Sequence, residues 1–142
     1  TEGLQLVAKT KVASVELQKQ FMNREVKKRY IAVVQGSPLE DEGVVDLDIG
    51  EKSAVSKWRV LTRGQTSALP GTNITTLELS PLTGRTHQLR IHCSQGLGMP
   101  IVGDKQYRGT DTGHGLLLAA EGISFAHPHT GQNLSFSLGE PQ

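Results

Sequence analysis

Along most of the chain apolar and polar residues alternate with a period of two, the pattern of half-buried strands, and in two stretches that alternation breaks down. Residues 3–8 read as a strand, after which Ala13, Leu17 and Phe21 recur every fourth position and predict a helix over about 11–23. Alternation returns over 28–34 and stops at Gly36-Ser37-Pro38, a turn signal. Further strands are expected over 44–49, 53–61 and 75–79, with a loop over 65–73 where Pro, Gly, Ser, Thr and Asn crowd together. Residues 85–95 hold good helix formers without clean alternation, so a short helix is expected there, ended by Gly96 and Gly98. Strands over 116–120, 123–125 and 134–138 close the chain around the turn His127-Pro128-His129-Thr130-Gly131. The pattern describes an α+β domain, a mixed and mainly antiparallel sheet with two short helices. Its 142 residues suit one hydrophobic core, and no repeat or linker divides them.

Charge alters this picture through its placement. The net charge is +1, yet residues 1–36 carry seven basic groups against three acidic, 37–56 one against six, 57–110 seven against two, and 111–142 none against three. Neutrality is therefore cancellation. Two basic blocks flank an acidic hairpin-like insert, Glu40-Asp41-Glu42-Gly43 followed by Asp46, Asp48 and Glu51, which allows one positive face on a balanced molecule. A lone Cys93 rules out an intramolecular disulfide and a cysteine zinc cage and fits a reducing compartment, so a cytoplasmic location is expected. No apolar run approaches the roughly 20 residues of a membrane span. The chain opens on Thr1-Glu2-Gly3 without Met and moves at once into alternation, so its start is expected to be cut from something longer.

The densest chemistry lies in Pro81-Leu82-Thr83-Gly84-Arg85-Thr86-His87-Gln88-Leu89-Arg90-Ile91-His92. This segment follows a strand, turns at Pro and Gly, and opens a helix, where backbone N–H groups favour an anion; Arg85 and Arg90 add forked donors suited to phosphate or carboxylate. A second cluster surrounds Tyr30, which begins a strand beside Lys27, Lys28 and Arg29 with Arg24 upstream. An aromatic among cations suits bases that stack and phosphates that pair, although a strand tyrosine turned into the core would read the same way. The five histidines make a poor metal site, since His87 and His92 fall about 140° apart on a helix and no Cys, Asp or Glu stands at ligand spacing beside them. No serine occupies a glycine-flanked elbow, so a Ser-His-Asp hydrolase is not indicated.

Taken in order, four stretches resemble the RluA-type (RluA/RsuA-like) branch of the RNA pseudouridine synthases. They are Lys28-Arg29-Tyr30-Ile31-Ala32-Val33-Val34-Gln35-Gly36, then Leu82 through His92, then Pro100-Ile101-Val102-Gly103-Asp104 with Tyr107, and finally Leu116-Leu117-Leu118-Ala119-Ala120 through Phe125 to His127-Pro128. The resemblance implies a pseudouridine synthase-like fold whose N-terminal part is missing, isomerising uridines to pseudouridine in structured RNA, rRNA or tRNA, without metal or other cofactor and without a membrane. It implies that Tyr30 packs against an extruded uracil and assists proton removal from C5. Arg90 corresponds to the basic residue that pairs with the nucleophilic aspartate, and Leu118 to part of the apolar wall beside the base. Arg24, Lys28, Arg85, His87 and Gln88 are then expected on RNA backbone or in support of the site. The family's aspartate stands in an Arg-Leu-Asp triplet just ahead of a Thr-Ser-Gly tripeptide. Thr1-Glu2-Gly3 resembles that tripeptide, which puts the aspartate upstream of Thr1 and leaves these residues inactive alone, with Arg90 lacking its partner. Asp104 is expected to be a structural Gly-Asp turn. Ala119 departs from the family, which often has His there. A non-catalytic RNA-binding module of the same fold is the other reading.

Overall fold

The computed structural model describes residues 2–3, 20, 27–126, 130 and 132–137. Gln20 is helical and buried; the rest of the helix expected over 11–23, residues 4–8 of the first strand, Arg24, and the turn at 127–131 apart from Thr130 lie outside the described residues.

Strands β1 (Glu2–Gly3), β2 (Lys27–Gln35), β3 (Glu42–Asp46), β4 (Val55–Gln65), β5 (Asn73–Pro81), β6 (Leu118–Ala126) and β7 (Asn133–Ser137) form one sheet in the order β1-β6-β2-β5-β4-β3, with β7 also on β6. β1 runs parallel to β6 and the other pairings are antiparallel, so the sheet is mixed as expected.

Alternation decides the faces. Ala32 and Val34 of β2, Ser56 and Trp58 of β4, Thr75, Leu77 and Leu79 of β5, and Leu118 and Ala120 of β6 are buried on one inner face. Helix α1 (Gln88–Ile91) continues into a π-helical turn, His92–Gly96, and lays Leu89 and Cys93 against that face. These are positions i and i+4, neighbours on one side of a helix. Fully burying side chains of this size contributes about 1.5–3 kcal/mol each, which makes this layer the main stabiliser of the domain. No helix among the described residues is long and apolar enough to cross a membrane.

The structure extends or trims several expected elements. β4 and β5 run on to pair Gln65 with Asn73, whose side chains also bond at 3.1 Å, so the loop between them shrinks to 66–72. The far end of β4 is exposed, which is why the expected strand stops at Leu61; the ladder of backbone hydrogen bonds, with no help from burial, continues it to Gln65. β3 ends at Asp46, and an Ile49–Lys52 bridge closes the turn into β4, giving the acidic hairpin. The two strands expected over 116–120 and 123–125 are one, β6, interrupted by a bulge: Tyr30 pairs with Ala120 and Arg29 with Gly122, which leaves Glu121 as the extra residue.

Candidate active site

At the end of the inner face where β2 begins and β5 ends, the sheet floors a cleft of about 420 Å³. Lys28 and Tyr30 project from β2, Pro81 from the end of β5 and Leu118 from β6, while 82–85 and the first residues of α1 form the opposite wall. Strand periodicity explains the first pair, since residues two apart share a face. Tyr30, Arg90 and Leu118, far apart in sequence, line this one cleft together with Lys28, Arg85, His87 and Gln88. Arg24 lies outside the described residues. Of the cleft's described lining residues, three are basic (Lys28, Arg85 and Arg90) and none is an acid. Ala119 pairs with Ile31 on the outer face, so its departure from the family pattern does not alter the cleft.

Partial burial pushes the Tyr30 phenol above its ordinary pKa and the Lys28 ammonium below its own. Both shifts have the sign desolvation gives, because burial disfavours whichever form is charged. The Tyr30 hydroxyl therefore stays protonated at neutral pH.

Gln88 is the wall's anchor. Its Oε1 accepts the Thr83 hydroxyl at 2.6 Å and the Arg85 N–H at 3.0 Å, while its Nε2 donates to the Val55 carbonyl at 3.0 Å and Ser56 Oγ at 2.9 Å. Thr83 Oγ1 in turn accepts the Val55 N–H at 3.0 Å, and Arg85 Nε donates to the Ser53 carbonyl at 2.8 Å. This arrangement corrects the expected start of the helix and selects between the two roles expected of Gln88. The helix begins at Gln88, later than expected, because the Gln88 side chain captures the Arg85 N–H that was to greet an anion, and His87 takes a left-handed conformation with φ 54°. Gln88 itself, 4% exposed with every amide position engaged, supports the site and is not free to bind RNA backbone.

Arg90 also departs from expectation, since it is not left without a partner. Its Nε donates to Asp104 Oδ2 at 2.9 Å and its Nη2 to Oδ1 at 2.8 Å, a bidentate pair with a fully buried carboxylate. Asp104, expected to be only a turn residue, is both a turn residue and Arg90's partner. Its hydrogen bond is the main cause that raises the Arg90 pKa above its ordinary value. The guanidinium carbon lies 5.1 Å from the Tyr107 ring centroid, and the Tyr107 hydroxyl is hydrogen-bonded to His87 Nδ1 at 3.0 Å.

His92 is a satisfied core residue. Its Nδ1 meets Ser56 Oγ and its Nε2 the Leu47 carbonyl, both at 2.8 Å. A carbonyl can only accept, so Nε2 carries the proton and Nδ1 accepts from Ser56. Among the described residues no three His, Cys, Asp or Glu side chains cluster as a metal site. Thr83, Asp104 and Tyr107 were absent from the expected site. Thr83 stands inside the Leu82–His92 stretch, and Asp104 and Tyr107 inside the Pro100–Tyr107 stretch, but nothing in either marks the side-chain contacts they make.

A cationic cleft with a tyrosine face and a leucine wall, on a mixed sheet, defines a class, and comparison with known proteins agrees. Residues 1–95 match the family model of RNA pseudouridylate synthase, and the chain belongs to that family. It is 41% identical over 149 residues to the dual-specificity RNA pseudouridine synthase RluA of Pasteurella multocida, an alignment covering 96% of this chain and 68% of that protein. It is 38% identical over 148 residues to the enzyme of the same name from Escherichia coli, covering 96% of this chain and 67% of that one. Among solved structures it is similar to human RNA pseudouridylate synthase domain containing 1, with TM-score 0.74 and 27% identity, covering 95% of this chain and 63% of the other. The chain thus spans about two-thirds of the length of the proteins it matches.

Proposed function

We propose that this protein, joined to the segment that carries its attacking carboxylate, converts uridines in structured RNA, rRNA or tRNA, to pseudouridine. One observation carries the reading: Tyr30, Arg90 and Leu118 line a single cleft whose described lining holds three cations and no acid. The reaction breaks the N1–C1′ bond, turns the uracil, forms the C1′–C5 bond and releases the C5 proton while N1 takes one up, so the product is an isomer of the substrate. It needs a carboxylate nucleophile, a walled pocket, and no redox partner. A duplex or stacked base is out of reach, so the nucleotide must be extruded, at a cost of a few kcal/mol. Lys28 and Arg85 at the cleft offset that cost through the phosphates, and Leu118 with the Tyr30 ring holds the base.

The acid is proposed to arrive on chain preceding Glu2. β1 is parallel to β6 with Glu2 beside Ala119, the neighbour of Leu118 in the cleft wall, which supports this reading. Arg90 would keep an incoming carboxylate ionised, since a neighbouring cation lowers an acid's pKa. A protonated Tyr30 is a poor base, so its hydroxyl serves the departing proton by relay and its ring serves as the platform. A cytoplasmic site of action goes with this reading.

The test is tritium release from RNA labelled at uridine C5, with the full-length protein and with residues 1–142 alone. The full-length protein should release tritium, and residues 1–142 should not. Tyr30→Phe in the full-length protein should keep RNA affinity while slowing turnover. RNA binding by the full-length protein with no tritium release and no pseudouridine in the product would instead make it a binding module.

A further inference from the structure

Arg90 is held on one edge and one face by residues that do not touch the cleft's floor. Asp104 grips the Nε/Nη2 edge, and the Tyr107 ring lies along the guanidinium. Both holders are fixed in turn. The Asp104 N–H donates to the Ile101 carbonyl at 3.0 Å, and its own carbonyl accepts the Tyr107 N–H at 3.1 Å and the Gly109 N–H at 2.7 Å. Gly103, at φ 86°, presses against the Gly115 carbonyl where any side chain would collide, so this turn has one shape. Ser94 Oγ donates to the Tyr107 carbonyl at 2.8 Å, and His87 meets the Tyr107 hydroxyl.

A guanidinium offers five N–H donors in a planar fork, and Asp104 takes two of them. The second donor of Nη2 meets Gln106 Oε1 at 3.5 Å, so the two donors of Nη1 are the ones left for an occupant of the cleft. We infer that Asp104 and Tyr107 are positioning residues for uridine isomerisation: they clamp Arg90 so that one arginine bridges two carboxylates, Asp104 behind it and the attacking acid in front. Asp104 does not attack, because its carboxylate is fully buried and lies outside the cleft lining.

The clamp does two things that a free arginine would not. It removes the rotamer freedom of a long side chain before substrate arrives, so the attacking carboxylate meets a preset partner. It also offsets the guanidinium's charge, so the incoming acid is oriented by a fixed dipole and is less tightly neutralised by a full cation. The inference rests on the proposed isomerase reading.

The experiment compares full-length wild type with Asp104→Asn and with Tyr107→Leu, scoring tritium release, RNA affinity by filter binding, and folding by circular dichroism. A misplaced catalytic partner costs on the order of a hundredfold, so Asp104→Asn should lose about that in kcat with KM and RNA affinity within about twofold. Tyr107→Leu, which keeps the ion pair but removes the ring, should lose about tenfold in kcat in the same pattern. If Asn at 104 prevents folding, Tyr107→Leu decides alone. Wild-type kcat in a folded variant overturns the inference, as does a loss confined to RNA affinity. Absence of activity in wild type itself would instead sink the isomerase reading on which the inference depends, and the two failures are distinct.

Discussion

Replacing Gln88 by Met keeps the volume and the helix propensity while deleting four hydrogen bonds, and the cost can be worked bond by bond. The Val55 carbonyl keeps the Leu82 N–H at 2.9 Å, and Ser56 Oγ keeps His92 Nδ1 at 2.8 Å, so neither is orphaned. Thr83 Oγ1 still accepts from the Val55 N–H at 3.0 Å. Two donors lose their acceptor among the described residues, the Thr83 hydroxyl and the Arg85 N–H. A buried unsatisfied donor costs about 1–3 kcal/mol, and both are half-buried, where water makes up part of the loss, so Gln88→Met should destabilise by about 2–4 kcal/mol. That is a large share of a domain's stability of about 5–15 kcal/mol. Urea unfolding of the full-length protein followed by circular dichroism measures it as a lowered midpoint at unchanged slope. RNA affinity should fall only as far as Arg85 loses its seat. A variant within about 0.5 kcal/mol of wild type that nevertheless binds RNA poorly would refute the reasoning and return Gln88 to the RNA surface.

Two further outcomes are expected. Arg85→Ala in the full-length protein should weaken binding across RNA sequences and lower the slope of log affinity against log salt by about 1, as loss of one phosphate contact does; an unchanged slope would take Arg85 off the backbone. Burial, followed by the Asp104 charge, pushes the Cys93 thiol up to about 12 from 9.0, so the folded state holds a proton that the unfolded state releases. That stabilisation is complete below pH 9.0 and is lost as pH rises toward about 12, at about 1.4 kcal/mol per pH unit. Urea midpoints across this range should fall in wild type and flatten in Cys93→Ala.

The sheet was legible wherever alternation and burial coincide. β2 is readable up to Val34 because Tyr30, Ala32 and Val34 give its inner face apolar side chains, whereas the end of β4 is not, because its pairing continues past the last buried side chain. The bulge at Glu121 looks like a break between strands in the sequence, since one extra residue shifts the period just as a turn would. Residue types placed Tyr30, Arg85, His87, Arg90 and Leu118 at one site through the family pattern, and the cleft gathers them. Their partners were illegible for a physical reason. The Arg90–Asp104 pair joins α1 to a loop beyond it, and Gln88 reaches across to β4, so both depend on tertiary contacts that no local pattern encodes. The Gly-Asp turn reading of Asp104 was sound for the backbone and silent about the side chain.

The acidic hairpin gives the molecule a sense of direction. Glu40, Asp41, Glu42, Asp46, Asp48 and Glu51 are all exposed on and around β3, the strand at the opposite margin of the sheet from β6. A polyanion drifting toward the protein is repelled at that margin and drawn toward the cleft, where Lys28, Arg85 and Arg90 stand, so most encounters are turned the right way round before the cleft is reached. Reversing those charges would leave the cleft intact and still slow the search for it.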